Sequence, residues 1–378
     1  MAHKPQQVAA LIEQTPNPRS QNPNSLPWDP SNDIFPRRHE LPTSIPHHVG
    51  APKDAAWVWG ENDYKGRINL LTAQRVANAA KSEIRTGQTV RLDLPLQIPS
   101  SPAFGRKSAT HRVVDLGGIA YDDIIDNMNP QSGSQWDGFR HTKTSDIVAP
   151  DAPDSKCSIH HWSSSSSTVS HDHTTTTTGG ISGRAILLDY WSYAESTPGK
   201  LYDPYTGHAI PFSDLQACAA AQGINLLPAR DGGDVQVGDI LLIRSGWVSR
   251  YHSLTDEQRH KAASRHVHVF ASQVTGKEEV QEWAGIKQEQ ATLDWLHDCY
   301  FSAVAGDAPS FERWPSQVDW LFHEYVLALW GMPLGEMWDL EELAALCRRE
   351  KRWTFFLSSA PDVVYGGVGS HPNATAIF

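Results

Sequence analysis

Between Gln131 and His141 the chain reads QSGSQWDGFRH: one carboxylate, one imidazole and two carboxamides in a short stretch. In extended backbone alternate side chains share a face, so Gln131, Gln135, Asp137 and His141 would line one side of a strand. Were the second half helical, Asp137 and His141 would still meet at i, i+4. Either geometry lets both reach one cation, and a carboxylate with an imidazole suits Zn²⁺, Mn²⁺ or Fe²⁺. A solvated aspartate and a hydrogen-bonded histidine in a turn would be spelled the same way. The rest of any site must come from elsewhere in the chain.

The segment FHEYVLALWGMPLGE (322–336) offers that second half. His323 stands near the start of an apolar helical pattern, and Glu336 follows a Gly-Met-Pro break that turns the chain and lets the carboxylate fold back. Two plainer readings remain open: Glu336 as the cap of the next helix, and His323 as a satisfied core histidine. Trp136, Phe139 and Phe104 would give apolar walls for a flat or aromatic small-molecule substrate, and each equally suits core packing. His160, His161, His171 and His173 flank or lie in SSSSSTVSHDHTTTTTGG (163–180), read as a low-complexity surface insertion. A flexible tract cannot preorganise ligands cheaply, so these histidines are not taken as a metal site.

The elements that would carry these residues follow from periodicity and punctuation. Residues 1–50 are rich in Pro, Asn and Ser without periodicity and read as an extended arm, disordered or wrapped on a neighbour. Residues 51–378 form the domain proper. A helix follows Thr72, and TVRLDLPLQI (89–98) alternates as a strand. RAILLDYW (184–191), DILLIRSGW (239–247), FSAVAGD (301–307) and WTFFLSSAP (353–361) are short apolar runs suited to buried strands. Helices are expected after Ser213, over 292–300, over 320–331 with Leu321, Tyr325 and Leu329 on one side, and over 339–350 capped by Asp339. Strands and helices mix without a regular βαβ repeat, which predicts a mixed α/β domain.

Composition narrows the function classes. The net charge of −11 lacks the basic footprint of a nucleic-acid or anionic-membrane partner. No run approaches the roughly 18 apolar residues of a membrane span. Cys157, Cys218, Cys299 and Cys347 form no CxxC pair and read as free thiols. The first residues lack the apolar core of a signal peptide, which leads to a cytoplasmic expectation.

QSGSQWDGFRH resembles the HxGTHxDxxxH motif of the metal-dependent cyclase family, which includes kynurenine formamidase and isatin hydrolase. Gly133 and Ser134 stand for Gly-Thr, and Asp137 and His141 fall on the motif's Asp and last His. Further blocks resemble a fungal branch of that family, among them AAWVWGENDYKGRINLLT, VGDILLIRSGW, AVAGDAPSFERWP and YGGVGSHPNATAIF; together they span about residues 50–378. The resemblance implies a swivelling β/β/α-type single domain with a mixed sheet, in a homodimer or homotetramer. It implies a divalent metal held by Asp137, His323 and Glu336, with His141 as a further ligand or a general base. Gln131 and Gln135 stand where the motif has histidines. An amide oxygen is harder and more weakly binding than imidazole, so one ion, Mn²⁺ or Zn²⁺, is expected, with Gln135 a ligand or a hydrogen-bonder to coordinated water. The implied activity is hydrolysis of a cyclic or aryl amide, lactam or related carbonyl. The alternatives are a metal-dependent cyclase or dehydratase of secondary metabolism, and a degenerate relative that only binds.

Overall fold

Nine strands build one curled, mixed sheet. In spatial order they are Thr89–Arg91, Ala374–Ile377, Thr354–Ser359, Ile181–Leu188, Ile240–Ile243, Ala303–Gly306, Leu334–Glu336, Gln135–Asp137 and Gly369–Ser370. The computed structural model describes residues 29–40, 65–139, 141, 180–362 and 368–378. The arm's other residues, Cys157, the four histidines near the Ser/Thr tract and all of that tract except Gly180 lie outside these.

The central strands run parallel, with Ile240 beside Ala185 and Ala303, and Leu334 beside Val304. Their sequences explain this place. Ile240–Ile243 is apolar at every position and wholly buried, as a strand covered on both faces must be. The outer strands pair antiparallel. Helices such as Ala73–Glu83, Phe212–Ala221, Gln290–Asp298 and Glu341–Glu350 accompany the sheet, giving a single mixed α/β domain. Cys218, Cys299 and Cys347 are free and buried. Among the described residues no helix is long and apolar enough to cross a membrane.

Residues 29–40 lie against this body. Phe35 is buried and stacks on Tyr300 at 4.7 Å, Tyr300 Oη donates to the Pro36 carbonyl at 2.7 Å, and Arg38 pairs with Asp294 at 2.8 Å.

Several sequence expectations change at element boundaries. The strand expected over 89–98 ends at Arg91, because Pro95 cannot donate to a ladder and the chain turns where Ile98 N reaches the Pro95 carbonyl at 2.8 Å. Ser213 sits inside the first turn of Phe212–Ala221, which Pro211 precedes. Asp339 reaches the amide of Glu341 at 3.2 Å from one residue before the cap position. The expected helix over 320–331 is instead a π-helix at Glu324–Leu329, closed by Trp330 N donating to the Tyr325 carbonyl at 2.9 Å. Such turns are uncommon and recur at functional sites. His323 stands at its N-terminus.

Candidate metal centre

Strand Gln135–Asp137 pairs antiparallel with Leu334–Glu336, placing Gln135 directly opposite Glu336. Side chains alternate across a strand, so Gln135, Asp137 and Glu336 fall on one face. The strand is short because Pro130 opens a tight turn over Pro130–Ser132 and Gly138 follows Asp137. Of the geometries open for 131–141, neither a continuous strand nor a helical second half forms: three residues of strand lie between turns. Those turns still bring the polar groups together. Gln131 Nε2 lies 3.2 Å from His141 Nδ1, and Gln135 Nε2 donates to Asp137 Oδ2 at 3.1 Å and to Glu336 Oε2 at 2.7 Å.

His323 completes the cluster. Its Nε2 lies 3.0 Å from Glu336 Oε1 and 4.0 Å from Asp137 Oδ2, and its Nδ1 lies 3.0 Å from Glu312 Oε1. Phe311 N also donates to Glu336 Oε1 at 3.3 Å. Asp137, Glu312, Glu336 and His323 are all buried. Glu312 is the residue the sequence reading passed over. Its only signal was a second acid in the block GDAPSFERWP, just after a buried strand.

The electrostatics are lopsided. Three buried carboxylates face one imidazole. Burial opposes charge on His323, but Glu312 and Glu336 outweigh it and hold the ring well above the usual imidazole range. Burial raises the Glu336 carboxyl, the hydrogen bond from His323 opposes this, and the charge of Asp137 adds to the rise. At His141 the charge of Asp137 pulls upward, but burial, His323 and Arg106 prevail and hold it below the usual range. His141 is thus a neutral imidazole at neutral pH, with Nδ1 3.8 Å from Asp137 Oδ1.

This donor set fits a divalent cation. Ligand atoms of Asp137, His323 and Glu336 lie within 4.8 Å of one another. Donors around one ion at about 2.0–2.2 Å stand at most about 4.4 Å apart, so small side-chain rotations close the set. Asp137 Oδ1 and Gln135 Oε1 are buried acceptors without a hydrogen-bond partner. Buried polar atoms are seldom left so, and an ion held by Asp137 could satisfy its free oxygen.

The aromatic expectations divide. Trp136 points to the opposite face of its strand from Asp137. It is fully buried, donates from Nε1 to Ser359 Oγ at 2.9 Å and packs edge-on against Trp338. Phe139 is also fully buried in the main core. Both side chains take the core packing that their residue types equally suit. Phe104 is half-buried, edge-on to Trp283 and Trp314, with the Arg106 guanidinium 4.7 Å above its ring. Arg106 in turn donates to the Gln131 carbonyl.

A mixed α/β sheet thus presents, from paired strands and the head of the π-helix, a buried carboxylate–imidazole cluster that is a candidate cation site. The Cyclase family matches residues 25–313, and the chain belongs to that family. A crystal structure described as a novel cyclase is similar over 85% of this chain and 98% of its own, at 26% identity and a TM-score of 0.62. Isatin hydrolase A from Ralstonia solanacearum is similar over 81% and 97%, at 15% identity and a TM-score of 0.49. A structure described as a predicted metal-dependent hydrolase from Bacillus stearothermophilus covers 77% and 98%, at 14% identity and a TM-score of 0.40. No curated protein matches the chain.

Proposed function

We propose that the chain is a metal-dependent hydrolase that opens the carbonyl–nitrogen bond of a cyclic or aryl amide, lactam or related small molecule. Asp137, His323 and Glu336 would hold one divalent ion, manganese or zinc, with the Gln135 amide beside it. When bound, such an ion supplies Lewis acidity to a carbonyl and makes water easier to deprotonate. The chain's own residues do the rest. His141, neutral at neutral pH, accepts the proton of the attacking water at Nδ1, the atom facing Asp137. The water oxygen bonds to the carbonyl carbon, the carbon–nitrogen bond breaks, and His141 returns the proton to the leaving nitrogen. Gln131 Nε2 lies 3.2 Å from that same nitrogen, a contact that the attacking water would replace.

The observation that carries this reading is the excess of buried carboxylate over buried cation, with acceptors of Gln135, Asp137 and Glu312 left without partners, next to a neutral histidine. The test is metal analysis of the purified protein, joined to a screen of N-formyl amides, lactams, imides and lactones in ¹⁸O-labelled water. One equivalent of metal and one solvent oxygen in the product are expected. A metal-free protein that gains no turnover with Mn²⁺ or Zn²⁺ would refute the proposal, as would product without solvent oxygen.

A further inference from the structure

We propose that Glu312 is a positioning residue for His323. Its carboxylate keeps a proton on Nδ1 and turns the lone pair of Nε2 toward the ion-binding face. This inference rests on the metal reading above and assigns a role to a residue outside the ligand set.

The argument begins with the ring. The two nitrogens of an imidazole point in diverging directions. Nε2 of His323 faces Glu336 at 3.0 Å and Asp137 at 4.0 Å, while Nδ1 faces Glu312 at 3.0 Å. Glu312 therefore stands across the ring from Asp137 and Glu336 and does not share their ion. It is fully buried, and among the described residues its one ion-pair partner is His323. A buried carboxylate is costly unless it is paired and hydrogen-bonded. Histidines that bind metals commonly donate their second N–H to a carboxylate, which fixes tautomer and orientation.

The backbone holding Glu312 is itself fixed from outside the cluster. Arg313 N donates to the Ile286 carbonyl at 3.0 Å, and residue 312 bridges Ile286. Gly285 makes that approach possible: a Cβ there would stand 2.3 Å from the carbonyl carbon of Glu312. Glu312 and His323 thus reach each other from two separately anchored segments, a loop tied to residues 285–286 and the head of the π-helix. A carboxylate anchored this way holds the ring whether or not the other ligands move.

The test compares wild type, Glu312→Gln and Glu312→Leu. Mn²⁺ affinity is read by titration calorimetry, and the His323 tautomer by long-range ¹H–¹⁵N correlation in the Zn²⁺-loaded protein. Loaded wild type should carry its proton on Nδ1. Glu312→Leu should bind Mn²⁺ about 10–100-fold more weakly, and Glu312→Gln, whose amide oxygen still accepts from Nδ1, should recover most of that loss. Unchanged affinity in both variants overturns the role of Glu312, as does a wild-type ring protonated on Nε2. Should Glu312→Leu fail to fold, the wild-type tautomer decides alone. Wild type that binds no metal at all sinks the metal reading itself, which separates the two failures.

Discussion

Replacing Asp137 by Asn separates a metal ligand from a structural acid. The substitution keeps side-chain shape and leaves an oxygen able to accept from Gln135 Nε2, now 3.1 Å from Asp137 Oδ2. It removes one buried charge. Two interactions then vanish together: attraction to His323 Nε2 at 4.0 Å, and repulsion from Glu336 across at most 4.8 Å. At an effective dielectric of about 20, and at pH 8 where the Glu336 carboxyl, raised to about 7, is mostly ionised, these come to roughly 4 and roughly 3.5 kcal/mol and nearly cancel. Stability without metal should therefore change by no more than about 1 kcal/mol. The metal-bound form behaves differently. A ligand at about 1,000 times its Kd stabilises the fold by about 4 kcal/mol. For 378 residues the unfolding entropy is about 0.8 kcal/mol/K, so saturating metal should raise Tm by about 5 °C. The assay is differential scanning calorimetry of chelator-stripped protein across a Mn²⁺ series. Wild type should show the rise, and Asp137→Asn should keep the metal-free Tm while losing the rise. A variant that still gains several degrees would refute the assignment of Asp137 as a ligand.

Other consequences follow from the same geometry. His141→Gln should leave metal content unchanged and lower kcat by about 10²–10⁴-fold, the usual worth of a general base; loss of metal instead would make His141 a ligand. Gly335→Ala would place a Cβ 2.6 Å from Trp338 Nε1 and 2.7 Å from the Ala305 Cβ, beside Glu336. Overpacking there should cost about 1–3 kcal/mol by calorimetry and lower Mn²⁺ affinity. His297 is fully buried, and burial lowers its pKa to about 4 despite the opposing hydrogen bond to Asp298. The unfolded chain then takes up this proton first, so the stabilisation is complete above pH 6.5 and fades as pH falls toward 4. The loss is about 3 kcal/mol over that window, and urea midpoints at pH 7 and 4.5 should show it in wild type and not in His297→Asn.

Much of the site was legible because local rules bring its parts together. Alternation along an extended segment placed Gln135 and Asp137 on one face, and the Gly-Met-Pro break before Leu334 allowed Glu336 to fold back beside them. The winding after His323 was not legible. Leu321, Tyr325 and Leu329 recur every four residues, a spacing that suits an α-helix and the wider π-helix alike, and tertiary contacts decide between them. For Trp136 and Phe139 the sequence leaves pocket wall and core packing equally open. In a strand, next in sequence means opposite in direction, and for Trp136 that direction is the core; Phe139 lies past the strand's end, where alternation says nothing. Glu312 was hidden for another reason. Its partner lies across a loop whose path is set by contacts with residues 285 and 286, and no periodicity records such a contact.

The two glutamines gain a meaning that their type alone did not supply. A carboxamide has a donor at one end and an acceptor at the other. Gln135 turns its donor to Asp137 and Glu336, bridging two buried carboxylates that would otherwise face each other with one imidazole between them. An ionised carboxylate at this position would add one more negative charge to the three buried acids, and a neutral apolar group would take a donor from both Asp137 and Glu336. The acceptor end of the same side chain, Oε1, has no partner. Gln131 meets the same Nδ1 of His141 that faces Asp137, its Nε2 standing 3.2 Å away. The amides therefore let three carboxylates and two histidines share a buried site without adding charge of their own. That is the condition a site must meet if it is to hold its shape before a cation arrives.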